Sequence, residues 1–63
     1  MNVIRYEVYD SKDRWMGGYS TELDKSFSVK SFDMARINAS QCNGRIIAIH
    51  SDHSEKQVFP EVK

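Results

Sequence analysis

The sequence contains a single cysteine, Cys42, a single proline, three glycines and no long apolar run. One cysteine cannot form an internal disulfide, which favours a reducing environment such as the cytoplasm. No stretch approaches the roughly 20 apolar residues that a membrane-spanning helix needs, and the pattern of a signal peptide is missing. The sequence therefore predicts a cytoplasmic protein without covalent cross-links and without membrane association.

The chain also lacks an excess of charge, because 9 Lys and Arg residues are balanced by 9 Asp and Glu residues. Affinity for nucleic acid comes largely from cations that neutralise phosphates, so this balance argues against direct nucleic-acid binding. It argues equally against a polyanionic mimic of DNA. A local charged patch stays open, since the formal charge does not describe individual faces.

The length of 63 residues sets an upper limit on the hydrophobic core. A chain of this size buries only about 60% of the surface that its unfolded form exposes, which allows one small core. We therefore expect a single domain over residues 1–63 with modest stability. Dimerisation or association with a larger protein would stabilise such a domain, so the size is compatible with a homodimer and with a partner-bound role.

Two segments near the amino terminus have the pattern of a β-hairpin. Apolar and polar residues alternate from Val3 to Tyr9, which is the period of a half-buried strand. Residues 10–13 form a polar turn, and the aromatic residues of the segment 14–20 favour a second strand. The adjacent Gly17 and Gly18 indicate a bulge or a close approach of the backbone.

The segment from Ser31 to Gly44 predicts the only helix of the chain. Ser31 is a favourable N-cap, and Gly44 tolerates the left-handed conformation that ends many helices. At 100° per residue, four residues form a narrow stripe that would pack against a sheet. These residues are Phe32, Ala35, Ala39 and Cys42.

The remaining segments complete the predicted sheet. Residues 27–29 alternate and would form a short strand or an extended lead into the helix, and residues 45–50 are apolar enough for a central strand. Residues 56–60 fit an edge strand, since Pro60 cannot donate to a ladder. We expect an α+β fold with a small antiparallel sheet of three to five strands and one helix on one face, in the order β-β-(β)-α-β-(β).

The sequence offers no convincing catalytic or metal-binding constellation. His50, Asp52, His53 and Cys42 do not form the two close ligand pairs that a structural zinc site requires. The run from Ser51 to His53 holds the residue types of a hydrolase, but neighbours in a turn do not point at one another. We therefore predict a protein without enzymatic activity, metal or cofactor.

Met34 and Ile37 are the first candidates for a binding surface. Both point well away from the small-residue stripe of the predicted helix, on a side that a single sheet does not cover. Arg36 lies between them in sequence and could add a charged contact at the rim. A rotated helix, or the ordinary exposure of single apolar residues, would explain the pair without a partner.

Trp15 and Tyr19 could add an aromatic contact surface, although we expect at least one of them to belong to the core. With four arginines they would also suit a nucleic-acid-binding module in which bases stack on the aromatic rings. These arginines are Arg5, Arg14, Arg36 and Arg45. A third interpretation is a homo-oligomer in which Met34 and Ile37 meet their own copies across a two-fold axis.

The helix and the strand after it resemble a segment of a known class of phage proteins. The pattern is Ser31-x-x-x-Ala35-x-x-x-Ala39-Ser40-Gln41-Cys42, then Gly44-x-Ile46-Ile47-x-Ile49. It is similar to small phage-encoded anti-CRISPR proteins that act against type I-F surveillance complexes. The resemblance implies a compact antiparallel sheet with one helix, no enzymatic activity, and binding to the protein backbone of a defence complex beside its DNA channel.

The chain departs from that family at three positions of the helix. Asn38 stands where the family has an apolar core residue, and Met34 and Ile37 stand where it has polar ones. No lysine of this chain matches the lysine contacts of the family. The resemblance therefore implies an architecture and a general mode of action, and it assigns no binding residue.

Our leading hypothesis is a non-enzymatic phage inhibitor that binds a host protein or ribonucleoprotein complex in the host cytoplasm. It would block a defence complex sterically, as an anti-CRISPR protein does. One alternative is a phage inhibitor of another host machine, such as RNA polymerase. The other is a small nucleic-acid-binding module.

Overall fold

A computed structural model describes residues 2–60 of the chain. The elements follow in the order β1 (Val3–Tyr9), β2 (Trp15–Ser20), a 3₁₀ helix (Thr21–Lys25), α1 (Ser31–Gln41), β3 (Arg45–His50) and β4 (Glu55–Phe59). The four strands form one antiparallel sheet in the spatial order β2-β1-β3-β4. With α1 packed on one face of this sheet, the predicted α+β fold is confirmed.

β1 occupies the centre of the sheet beside β3. Tyr6 pairs with Tyr19 of β2 on one side and with Ala48 of β3 on the other. Since neighbouring residues of a strand point to opposite faces, this row faces the helix, and the rows on either side of it face away. The predicted bulge is present in β2, where Met16 is the extra residue between the paired positions Trp15 and Gly17.

The core lies between α1 and the central strands. Its fully buried members are Val8, Ala35, Ala39 and Ile46. The rings of Tyr6 and Phe32 meet edge to face with their centroids 5.3 Å apart. The predicted stripe of the helix is confirmed, because Phe32 and Cys42 also pack against this cluster. Alanine on the inner side lets the helix lie close to the sheet.

The start of α1 differs from the sequence prediction. Ser31 is the first residue of the helix and is buried, whereas Lys30 occupies the N-cap position and its side chain does not cap the helix. The carboxylate of Asp24, in the 3₁₀ helix, accepts the amide of Ser31 at 2.6 Å. A residue seven positions upstream therefore takes the capping role that Ser31 was expected to fill, and it also satisfies the positive end of the helix.

The end of α1 also corrects a prediction. Asn43, with a φ of 53°, adopts the left-handed conformation that we assigned to Gly44. Gly44 is required for a different reason, because a Cβ atom at this position would lie 2.0 Å from the carbonyl oxygen of Tyr9. The turn between α1 and β3 therefore fits against the end of β1 only with glycine at position 44.

The optional strand at residues 27–29 does not form. The chain leaves the sheet after β2 because the hydroxyl of Ser20 accepts the amide of Glu22 and starts the 3₁₀ helix. The hydroxyl of Thr21 then donates to the carbonyl oxygen of Val3 at 3.0 Å, which fixes this helix beside the start of β1. The edge strand predicted near the carboxyl terminus is confirmed as β4.

Candidate interaction surfaces

Several exposed apolar side chains of the described residues gather around the start of α1. Leu23, Phe27, Val29 and Met34, with Ser28, line a cavity of about 310 Å³. Leu23 is 41% exposed, Phe27 58% and Val29 48%, whereas Met34 is half-buried. The four apolar residues come from the 3₁₀ helix, the connection after it and the first turn of α1, so they form one continuous groove.

Ile37 follows on the same helix, where it lines a separate depression with Arg36, Ser40, Gln41 and Phe59. It lies one helical turn after Met34 and is 56% exposed. We call the five residues Leu23, Phe27, Val29, Met34 and Ile37 the helix-side surface. Arg36 stands beside it, where its guanidinium contacts the carboxylate of Asp33 at 3.5 Å.

Sequence analysis identified only the helical part of this surface. Leu23 belongs to a segment, 21–25, that is otherwise polar, and Phe27 and Val29 are expected in a short strand or in an extended lead into the helix. The available signal was the concentration of three large apolar residues within ten otherwise polar positions, 21–30. This concentration of apolar residues does not distinguish an exposed groove from a buried strand face, because apolar side chains occur in both.

Tyr19 lies apart from the helical candidates, between β2 and α1. It packs against the core, and its hydroxyl accepts a hydrogen bond from Nδ2 of Asn38 at 2.8 Å. The same amide donates to the carbonyl oxygen of Met16 at 3.1 Å. Asn38 therefore joins the helix to the bulge of β2, which gives a polar residue a structural role where an apolar one was expected from the resemblance.

Trp15 lies on the opposite face of the sheet and is 62% exposed. Its indole N–H donates to one carboxylate oxygen of Glu7, and Nε of Arg5 donates to the other at 2.8 Å. Because Glu7 accepts both bonds, it fixes the orientation of an aromatic ring and of a guanidinium group. The five candidate residues are thus distributed over three places, and the structure does not bring them together in one surface.

The side chains of Arg5, Glu7 and Trp15 belong to a shallow groove on the sheet, which we call the open face. The groove has a volume of about 350 Å³. It is lined by Arg5, Glu7, Tyr9, Trp15, Ile49, His53 and Glu55. Ile49 forms its floor and is only 6% exposed. The open face thus combines a buried aliphatic centre with charged walls.

The turn before Trp15 is held by the carboxylate of Asp10. It accepts the amides of Lys12 and Arg14 at 2.8 and 2.9 Å, and it also accepts Nε of Arg14 at 2.8 Å. The hydrogen bond from the Arg14 amide is the main cause that lowers the pKa of Asp10 below its usual value. These hydrogen bonds therefore favour the ionised form of Asp10. The turn that they stabilise leads directly into Trp15, the first residue of β2.

All four arginines proposed for a nucleic-acid interface form ion pairs within residues 2–60. Arg5 pairs with Glu7, Arg14 with Asp10, Arg36 with Asp33 and Arg45 with Asp13. Trp15 and Tyr19 lie on opposite faces of the sheet, so they cannot form a common stacking platform. The two aromatic rings therefore do not form the stacking surface that the nucleic-acid-binding interpretation expects, and that interpretation stays a prediction.

The side chains considered for catalysis or metal binding lie apart. Among residues 2–60, no three His, Cys, Asp or Glu side chains form a group that could hold a metal ion. The carboxylate of Asp52 accepts the amide and hydroxyl of Ser54, and the thiol of Cys42 contacts the carbonyl oxygen of Ala39.

None of the helices within residues 2–60 has the length and apolar character needed to cross a membrane.

Comparison with protein-family models, with curated proteins and with solved structures finds no match for this chain. The likeness of residues 31–49 to type I-F anti-CRISPR proteins therefore stays a prediction. Two surfaces of different character, one apolar and one charged, are the features from which a function can be inferred.

Proposed function

We propose that this protein is a non-enzymatic binding protein that attaches to a larger protein through the helix-side surface. The observation that carries the proposal is the groove of Leu23, Phe27, Val29 and Met34, which leaves large apolar side chains in contact with water. Contiguous exposed apolar side chains of this kind are typical of protein interfaces. A partner that covered them would gain roughly 25 cal/mol for each Å² of apolar surface removed from water.

The groove is built from segments that differ in secondary structure. Met34 and Ile37 stand on α1, whose first amide is held by Asp24, while Phe27 and Val29 stand on a connection outside regular secondary structure. A helical edge beside a connection outside regular structure suits a docking site, because side-chain adjustment on binding is common at interfaces. The ion pair of Arg36 and Asp33 supplies a polar rim.

The specific form of the proposal is a phage inhibitor that binds a host defence complex and blocks it sterically. The resemblance of residues 31–49 to anti-CRISPR proteins of type I-F supplies this target class, and the helix-side surface supplies a means of attachment. An inhibitor of host RNA polymerase would use the same surface. The two targets are distinguished by direct binding measurements.

The test measures binding of the purified protein to an immobilised type I-F surveillance complex and, separately, to host RNA polymerase. We expect binding to the first, and Met34→Asp with Ile37→Asp should weaken it by about 100-fold, since buried apolar anchors contribute about 2 kcal/mol or more. Trp15→Ser is the matched control, because it removes a larger exposed side chain from the opposite face. Thermal unfolding must first show that both variants are folded.

The outcomes separate the mode of action from the target. Normal binding by the double variant, or loss of binding in the Trp15 control alone, would place the interface elsewhere and contradict the use of the helix-side surface. Binding to RNA polymerase alone would keep the surface and replace the target. Absence of binding to either complex would contradict the inhibitor proposal in its specific form.

A further inference from the structure

The open face has a property that the helix-side surface lacks, because it is complementary to itself in charge. Arg5 of β1 and Glu55 of β4 stand on either side of Ile49 in β3, as the registers Arg5↔Ile49 and Ile49↔Glu55 show. All three line the same groove. One row across the sheet therefore carries a positive group, an aliphatic centre and a negative group.

Both charged groups keep unused hydrogen-bonding capacity. Glu7 engages Arg5 only through Nε, so within residues 2–60 the two terminal nitrogens of the guanidinium make no hydrogen bond. Over the same residues the exposed carboxylate of Glu55 forms no ion pair. The two nitrogens of an arginine fork match the two oxygens of a carboxylate, which is the geometry of a bidentate pair.

We propose that a second copy of this chain binds to the open face, so that two sheets stack face to face with their helices outside. A two-fold axis that runs along β3 past Ile49 places Arg5 of each copy opposite Glu55 of the other. It also brings the two Ile49 side chains together. An isologous interface requires this kind of surface, in which each patch contains the complement of itself.

The network on the open face prepares Trp15 and Arg5 for such a contact. Glu7 holds both side chains in place, so little of their conformational freedom is left to be lost on association. Tryptophan and arginine are also the residues that most often dominate the energy of interfaces. In a chain of 63 residues, the second sheet would supply the layer that the core itself is too small to provide.

The dimer is independent of the proposed binding function, because its interface and the helix-side surface lie on opposite sides of the sheet. Two helix-side surfaces would face outward, and one dimer could attach to two partner molecules. Loss of dimerisation would therefore leave the partner affinity of each chain unchanged and reduce only the avidity of the pair.

The test is sedimentation velocity of the full chain from micromolar to millimolar concentration. We expect a concentration-dependent dimer, and we expect Arg5→Glu and Glu55→Arg each to raise the dissociation constant about tenfold or more through like-charge contacts. The double variant with both substitutions should dimerise more tightly than either single variant, since it restores opposite charges between the two copies although the pair of Arg5 with Glu7 is lost. Lys56→Glu, on the same strand but outside the charged row, is the matched control and should leave the dimer intact.

Circular dichroism is used to check that each variant is folded. If Arg5→Glu is unfolded, the dissociation constant of Glu55→Arg alone tests the charged contact. A chain that sediments as a monomer at millimolar concentration overturns the proposal. So does a dimer that neither charge reversal weakens, or one that the exchange of both charges leaves no tighter than the single variants. A dimer abolished by Met34→Asp with Ile37→Asp would place the second copy on the helix side and equally overturn it.

Discussion

On the helix-side surface the exposed side chains are apolar and make no hydrogen bonds, whereas on the open face they are linked by charged hydrogen bonds. Leu23, Phe27 and Val29 are positioned only by the backbone that carries them, while Trp15 is held by the carboxylate of Glu7. The two surfaces also differ in their support, because one begins on a short 3₁₀ helix and the other on paired strands.

Because of this difference, we expect the two surfaces to recognise different kinds of partner. An apolar groove without fixed polar groups gives affinity through burial and accepts partners of varied shape. A row of oriented charges fixes the position of a partner on the surface, and it disfavours partners that carry like charges at the facing positions. We therefore propose different partners for the two surfaces, a larger protein for the helix-side surface and a second copy of the chain for the open face.

The largest effect should come from a change that damages both surfaces at once. In Gly44→Ala the new Cβ would collide with the carbonyl oxygen of Tyr9, so α1 and β3 could not keep their present positions. We expect a loss of about 3 kcal/mol or more of unfolding free energy, which is severe for a small domain. Chemical denaturation followed by circular dichroism provides the measurement.

Gly18→Ala is the matched control for that substitution. Its Cβ would meet only the carboxylate of Glu7, at 3.1 Å, and this flexible end of a side chain can move. We expect the unfolding free energy to stay within about 1 kcal/mol of the original value. Equal destabilisation by the two substitutions would mean that Gly44 does not need its close approach to β1.

A smaller effect should fall on the helix-side surface alone. Asp24→Asn removes the charged acceptor from the first amide of α1 and weakens the link between the 3₁₀ helix and the helix. The expected cost is about 1 kcal/mol, as for other helix caps. Hydrogen exchange should accelerate in residues 21–34 and remain unchanged in the strands. Uniform acceleration across the sheet would show that the two surfaces are not separately supported.

The smallest effect on stability should fall on the open face alone. Glu7→Gln weakens the acceptor that holds Trp15 and Arg5, but both of these donors are exposed, so we expect a change of no more than about 1 kcal/mol. Trp15 is the only tryptophan of the chain, and its fluorescence therefore reports on this face directly. Its anisotropy should fall as the ring gains freedom. An unchanged anisotropy would contradict the role of Glu7 in fixing the indole.

The parts of the fold that were predictable follow from short-range periodicity. The alternation from Val3 to Tyr9 identified β1, and the spacing of Ala35 and Ala39 identified the inner side of α1. The helix boundaries were less predictable. Ser31 has the residue type of an N-cap, but it is the first residue of the helix, and its own amide and hydroxyl donate to the carboxylate of Asp24.

The candidate site was predictable only in part, for the same reason. The outward direction of Ile37 could be deduced from the helical period, and the structure finds it exposed. Nothing in the local pattern shows that Phe27 and Val29 would lie beside Met34, because the strand expected for them does not form. Likewise, no spacing rule connects Arg5 with Glu55, which are neighbours of the same β3 residue.

The sequence by itself thus determined the strands β1, β2, β3 and β4, the helix α1 and its inner stripe, since those properties depend on neighbours within a few positions. Only the tertiary structure decided which exposed groups share a surface. It set Trp15 on one face of the sheet and Tyr19 on the other, and it joined Asp24 to the start of α1. Such contacts depend on strand order and register, which are fixed by burial of the whole core and not by any local segment.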